Sequence, residues 1–169
     1  QDGTKFCPAD PTTRQEMAVF LLKASQGSGF LPPACAGIFS DVPCTPGAGF
    51  PDWIENLYNR GITAGCQPGD PPAYCPTRQV LRSEIAVFLL KASLGSAYDP
   101  PPCSGIFTDV PCTPGVGFAD WIEDLWNRGV TSGCQAPGDP LMYCPDNNIL
   151  RQEMAVFLAK VFALQLYGP

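Results

Sequence analysis

The chain has 169 residues, a formal net charge of -6 and no histidine. An acidic balance argues against a broad nucleic-acid surface, because phosphate binding needs a basic field. Apolar residues make up 45% of the chain, enough for a buried core, yet no apolar run approaches the roughly 18 residues of a membrane span. No signal peptide is evident, so the chain reads as mature or as a fragment. Its 17 glycines and 20 prolines predict short helices joined by long, shaped loops.

The first predicted element lies in CPADPTTRQEMAVFLLKAS, Cys7 to Ser25. A helix begins near Arg14, with Thr13 and Glu16 placed as a capping box. Met17, Phe20, Leu21 and Ala24 form one stripe, but Val19 and Leu22 are apolar as well. A helix that is apolar nearly all round is central and buried. The same segment returns as Cys75 to Ser93 and as Cys144 to Phe162, with helices starting near Arg82 and Arg151. In those copies Leu81 and Leu150 occupy the cap position, so the box is broken.

Between these segments lies a second repeated stretch. Ala34 to Gln67 matches Pro102 to Gln135 at an offset of 68, and the offset becomes 69 beyond Gln135. The extra residue falls between Cys134 and Cys144, which puts that segment at an exposed loop tip. A helix is expected over Asp52 to Arg60, with Phe50, Trp53, Ile54, Leu57 and Tyr58 on one face. Pro51 suits its first turn and Gly61 its left-handed stop. Asp52 and Glu55 complement the helix dipole. The copy runs from Asp120 to Arg128 and stops at Gly129. Asp41 and Asp109, each before Val-Pro, are expected to fix a turn. Such a repeat cannot bury its own apolar face. Three central helices therefore form the core, with the shorter helices outside.

Nine cysteines are many for this length. Cys35 and Cys44, Cys66 and Cys75, Cys103 and Cys112, and Cys134 and Cys144 are the close pairs. Their intervals suit small disulfide-closed loops better than the tighter spacing of zinc ligands. Each closure would contribute about 2–3 kcal/mol, and the implied compartment is oxidising. Cys7 is the copy of Cys75, but Cys66 has no counterpart before it, so Cys7 is left unpaired. Three segments result: residues 1–27, the second half of a first unit; residues 28–95; and residues 96–169. The opening half of the first unit is expected upstream, or else from a neighbouring chain.

The ordered motifs carry a resemblance. Phe39-Ser40-Asp41-Val42, Trp53, Gly61-Ile62-Thr63-Ala64-Gly65 and Leu81-Arg82-Ser83-Glu84 resemble the S-layer homology repeat. Phe107-Thr108-Asp109-Val110, Trp121, Gly129-Val130-Thr131-Ser132-Gly133 and Leu150-Arg151-Gln152-Glu153 repeat that order, and Thr12-Thr13-Arg14-Gln15-Glu16 is similar to the family's signature. The resemblance implies an all-α fold, a pseudo-threefold helical bundle. It implies anchoring to the cell envelope through a pyruvylated cell-wall glycopolymer held in grooves between repeats. Arg14, Arg82 and Arg151 would contact the acidic group, and the turns at Gly61, Gly65, Gly129 and Gly133 would let the sugar approach. The chain departs from the family in its disulfide loops, in Leu81 and Leu150 where the signature has Thr, and in its half-absent first unit.

A helix start gathers free N–H groups and the positive end of the dipole. An arginine there can bind a carboxylate with two hydrogen bonds. The competing role is scaffold, each arginine pairing with its own Glu or a neighbouring Asp. Trp53, Trp121, Tyr58 and Trp126 read as core at their helical spacing. No catalytic residue, metal site or cofactor is expected, and the chain reads as no enzyme. The leading expectation is a binding module at the cell surface or secreted, its partner an anionic cell-wall glycopolymer. The second is a self-assembling subunit of a layer, tube or filament, its partners copies of itself.

Overall fold

A computed structural model describes residues 5–45, 47 and 49–165. Residues 1–4 and 166–169, the outer ends of the first and third expected segments, lie outside the described residues. Five helices follow in order: α1 (Arg14–Gln26), α2 (Phe50–Asn59), α3 (Arg82–Leu94), α4 (Ala119–Asn127) and α5 (Arg151–Val161). The fold is all-α. The described residues form isolated β-bridges but no named strand.

α1, α3 and α5 pack against one another in all three pairings. Their shared core includes Met17, Leu21, Ile85, Leu89, Met154 and Leu158, all buried. Each such side chain, fully buried, contributes about 1.5–3 kcal/mol. α2 packs on α1, and α4 packs on α3. The outer helices dock through their tryptophans. Trp53 meets Phe30 edge-on and lies under the Lys23 ammonium, as Trp121 meets Tyr98 and lies under Lys91. Trp53 is buried, while Trp121, Tyr58 and Trp126 are half-buried against the core.

Backbone hydrogen bonds tie the three central helices just before their N-terminal ends. The Thr12 amide donates to the Ile149 carbonyl, Ile149 to Val80, and Val80 to Thr12, at 2.9, 2.9 and 3.0 Å. These bonds form a closed triangle. The first two amides of each central helix also find partners in the next loop. Arg14, Arg82 and Arg151 donate to the carbonyls of Arg78, Asn147 and Asp10, while Gln15, Ser83 and Gln152 donate to those of Pro76, Pro145 and Pro8. These amides, expected to be free for an anion, are consumed in joining the units.

Capping follows the residue types only in part. In α1 Thr13 and Glu16 form the full box. Leu81 and Leu150 have no side-chain acceptor, but the Glu84 and Glu153 carboxylates still accept from the Leu81 and Leu150 amides. Half of the box therefore survives.

Disulfides close Cys35–Cys44, Cys66–Cys75, Cys103–Cys112 and Cys134–Cys144. Four such bonds indicate an oxidising, extracytoplasmic environment. No helix among the described residues is long and apolar enough to cross a membrane. The acidic groups at the start of the outer helices do more than offset a dipole. Asp52 accepts from the amides of Cys35 and Gly47, and Glu55 from those of Ala36, Gly37 and Ile38. Asp120 and Glu123 hold the Cys103 loop in the same way. The buried carboxylates thus replace solvent for loops that have no ladder of their own. Asp41 and Asp109 likewise reach beyond a local turn. Asp41 accepts from the amides of Tyr74 and Cys75 at 2.7 Å each, and Asp109 from those of Tyr143 and Cys144.

Candidate ligand grooves between units

Each signature arginine projects from the first turn of a central helix toward the next unit. The Arg14 Nε donates to the Tyr74 carbonyl at 2.8 Å, one of its terminal nitrogens to the Gly65 carbonyl at 3.1 Å, and the other lies 3.4 Å from Glu84. The Tyr74 hydroxyl returns a hydrogen bond to the Arg14 carbonyl at 2.8 Å. Arg82 repeats the arrangement with Tyr143 and with Glu153 at 2.7 Å. Arg151 donates to the Phe6 carbonyl and to Glu16, each at 2.8 Å. Each arginine pairs with the glutamate of the next central helix and not with its own. The three pairs close a cycle in one sense, α1 to α3 to α5 to α1.

Burial grades the three arginines. Arg14 is 1% exposed and Arg82 4%, whereas the Arg151 side chain is 20% exposed. Arg14 and Arg82 are therefore enclosed, although each stands at a helix start. They sit inside the joint between units, over the rings of Tyr74 and Tyr143. Burial pulls the Arg14 guanidinium below its ordinary value, and its neighbours Tyr74 and Glu84 oppose that shift. It remains a cation at neutral pH. Burial also pushes the Tyr74 and Tyr143 hydroxyls well above the ordinary tyrosine range. Both stay protonated and keep donating.

Grooves open on these joints. One, of about 240 Å³, is lined by Arg14, Thr63, Ala64, Gly65, Glu84, Phe88 and Lys91 among others. Another, of about 370 Å³, is lined by Arg82, Thr131, Ser132, Gly133, Glu153, Phe157 and Lys160. The two correspond residue by residue under the repeat. In each, an arginine, a lysine and one glutamate share the lining with a turn of small residues, and the Lys160 ammonium donates to the Gly129 and Val130 carbonyls. The local balance is positive in a chain of net charge -6. Such a groove can hold a carboxylate and offer hydroxyls and backbone to a sugar.

The glycines divide into two roles. Gly65 and Gly133 line the grooves. Gly65 has φ +95, and a Cβ there would lie 2.5 Å from the Ala73 carbonyl oxygen. Gly133 would meet the Met142 carbonyl oxygen in the same way. Gly61 and Gly129 line neither groove. They end α2 and α4, their amides donating to Tyr58 and Trp126.

The third arginine has only part of such a setting. Arg151 lines a cavity of about 350 Å³ with Lys5, Phe6, Cys7, Asp10, Thr13 and Glu16. Cys7 is the free cysteine, half-buried. The sulfurs of Cys66 and Cys75 lie near Asp41, and those of Cys134 and Cys144 near Asp109. Each pair is joined in a disulfide, whose sulfurs lack the thiolate charge that binds a metal.

Lys91, Lys160, Thr63 and Thr131 were not among the expected groove residues. Their signal was available, since each returns at the repeat offset beside the arginine motif. Tyr74 and Tyr143 were hidden, because nothing local marks a tyrosine that supports an arginine of another unit. No protein-family model matches the chain, and a comparison with curated proteins finds no match.

Proposed function

We propose that the protein is a cell-envelope binding module of the S-layer homology type, attaching non-covalently to an acidic, pyruvylated-type wall polysaccharide. The observation that carries this reading is the pair of matched grooves, each with an arginine and a lysine around a threonine- and glycine-containing turn. A ketal carboxylate would lie between the two cations, and the small residues of the turn leave room for a ring. The buried arginine acts as a fixed positive floor, while Lys91, over Trp121, and Lys160, on the Gly129 and Val130 carbonyls, supply the second cation. This accommodates an anionic polymer on an acidic protein, because attraction is confined to the grooves.

Co-sedimentation with purified pyruvylated wall polymer tests it. Lys91→Glu and Lys160→Glu together are expected to weaken binding at least about tenfold, with helix content and disulfides unchanged. Polymer stripped of its ketal should bind the native chain as poorly. Equal sedimentation of native and doubly substituted chains would remove the reading. A second reading, a self-assembling structural subunit, draws its support from α5, whose outer face no helix of the described residues covers.

A further inference from the structure

The central helices are copies, so one register position can be compared across all three. In α1, Ala18 and Leu22 are fully buried, and in α3 so are Ala86 and Leu90. Each of those helices carries an outer helix, and α5 carries none among the described residues. At the same positions of α5, Ala155 is exposed and Ala159 only half-buried.

Two further features gather at this joint. Cys7 has φ 49, the left-handed conformation of its copies Cys75 and Cys144, at 57 and 56. Those copies are bonded to cysteines in the turn that follows an outer helix. The Arg14 guanidinium donates to the Gly65 carbonyl of such a turn. The Arg82 and Arg151 guanidinium groups make no such bond among the described residues, and the Arg151 side chain is the most exposed of the three arginines. Face and cysteine are each complete in the other two units and incomplete here, where the arginine is also the least covered.

We propose that this vacancy is a docking site for a half-unit of the Ala34–Gln67 pattern. Its amphipathic helix covers Ala155 and Ala159, its glycine-bearing turn meets Arg151, and its cysteine bonds to Cys7. The two outer helices within the chain show what covers such a face: a tryptophan-bearing helix ending in Arg-Gly, then a turn ending in Gly-Cys. A second copy of the chain does not offer this chemistry, because both its outer helices sit on their own central helices and their cysteines are bonded.

The covalent step is thiol–disulfide exchange. The Cys7 thiolate attacks the sulfur of the incoming cysteine, which arrives as a mixed disulfide with a small thiol such as glutathione. One S–S bond forms as the other breaks. Glutathione leaves as a thiolate and takes up a proton, so no additional oxidant is consumed.

The probe is a synthetic peptide of Pro102–Gln135 with Cys103–Cys112 closed and Cys134 carried as its glutathione disulfide, mixed with the whole 169-residue chain. Docking raises the effective concentration of the sulfur, so the adduct at Cys7 should form at least about tenfold faster than with a peptide whose helix is scrambled. Ala155→Arg, at an exposed position, should reduce the native peptide to the scrambled rate while circular dichroism stays unchanged. Cys7→Ser should form no adduct yet still retain the native peptide, but not the scrambled one, on gel filtration. Equal rates for the two peptides would overturn the proposal, as would indifference to Ala155→Arg. Dimers bonded through Cys7 that exclude the peptide would also overturn it, assigning the face to a second copy.

Discussion

The Arg151 guanidinium of α5 donates to the Glu16 carboxylate of α1 at 2.8 Å, although 135 residues separate them. With Arg14–Glu84 and Arg82–Glu153 it completes a cycle of ion pairs, each joining one central helix to the next. The pairs are alike in chemistry and unlike in burial, and that difference sets their expected contributions.

Arg82→Ala is expected to destabilise the fold by about 3 kcal/mol, because it removes a buried guanidinium packed over the Tyr143 ring and strands the Tyr143 carbonyl in a buried joint. Arg151→Ala, on a more solvated pair, is expected to cost about 1 kcal/mol. Urea unfolding of the two variants checks the order, and equal losses would show that burial does not grade the cycle. Removing all three arginines is thus a poor test of ligand binding, since unfolding alone would abolish it.

Glu123 opposes two effects. Burial disfavours its charged form, but the amides of Ser104, Ile106 and Gly105 and the Ser104 hydroxyl outweigh burial and hold the carboxyl below its ordinary value. A group depressed in the folded state stabilises above its unfolded value, and that stability is lost as pH falls through the folded value. Glu123→Gln should therefore cost about 2 kcal/mol at pH 7. The gap to the native chain should narrow as pH falls below the ordinary carboxylate range. Urea midpoints from neutral to acidic pH measure it, and a gap that widens toward acid would reverse the sign.

Gly65→Ala should cost about 2 kcal/mol, since it adds a clash with the Ala73 carbonyl oxygen to a left-handed backbone. Gly129→Ala meets no atom within 4 Å and should cost about 1 kcal/mol, from backbone conformation alone. Thermal melts of the two variants distinguish a glycine needed for close approach from one needed only to stop a helix.

Replacing Cys66 and Cys75 together by Ser should lower stability by about 2.5 kcal/mol, the loop-closure contribution for a separation of nine residues. The Asp41 clamp on Tyr74 and Cys75 should keep the loop near its native path, so the wall-polymer binding proposed above should persist at low temperature. Denaturant titration and co-sedimentation of the same variant check both halves.

Repetition and periodicity made the helices legible. The all-round apolar character of Met17 to Leu22 placed α1 at the centre, and the stripe from Trp53 to Tyr58 placed α2 outside. Cysteine spacing pointed to the loops that disulfides close. What stayed hidden was which unit each polar group serves. Asp41, Asp52 and Glu55 sit where a turn or a helix dipole explains them locally, yet their oxygens are engaged by amides 5 to 34 residues away. Arg14 and Arg82 occupy exposed-looking helix starts, but the loop of the following unit folds over them. A carboxylate or guanidinium has no periodicity to show its partner, so these assignments needed the tertiary arrangement.

The triangle of amides among Thr12, Val80 and Ile149 bears on how the chain comes apart. Units stacked in a line can lose a terminal member while the rest persist, because each depends only on its neighbours. A closed circuit has no terminal member to lose. Detaching any one segment breaks two of the three bonds of the triangle and two of the three ion pairs at once, so the chain should melt in a single concerted step instead of fraying.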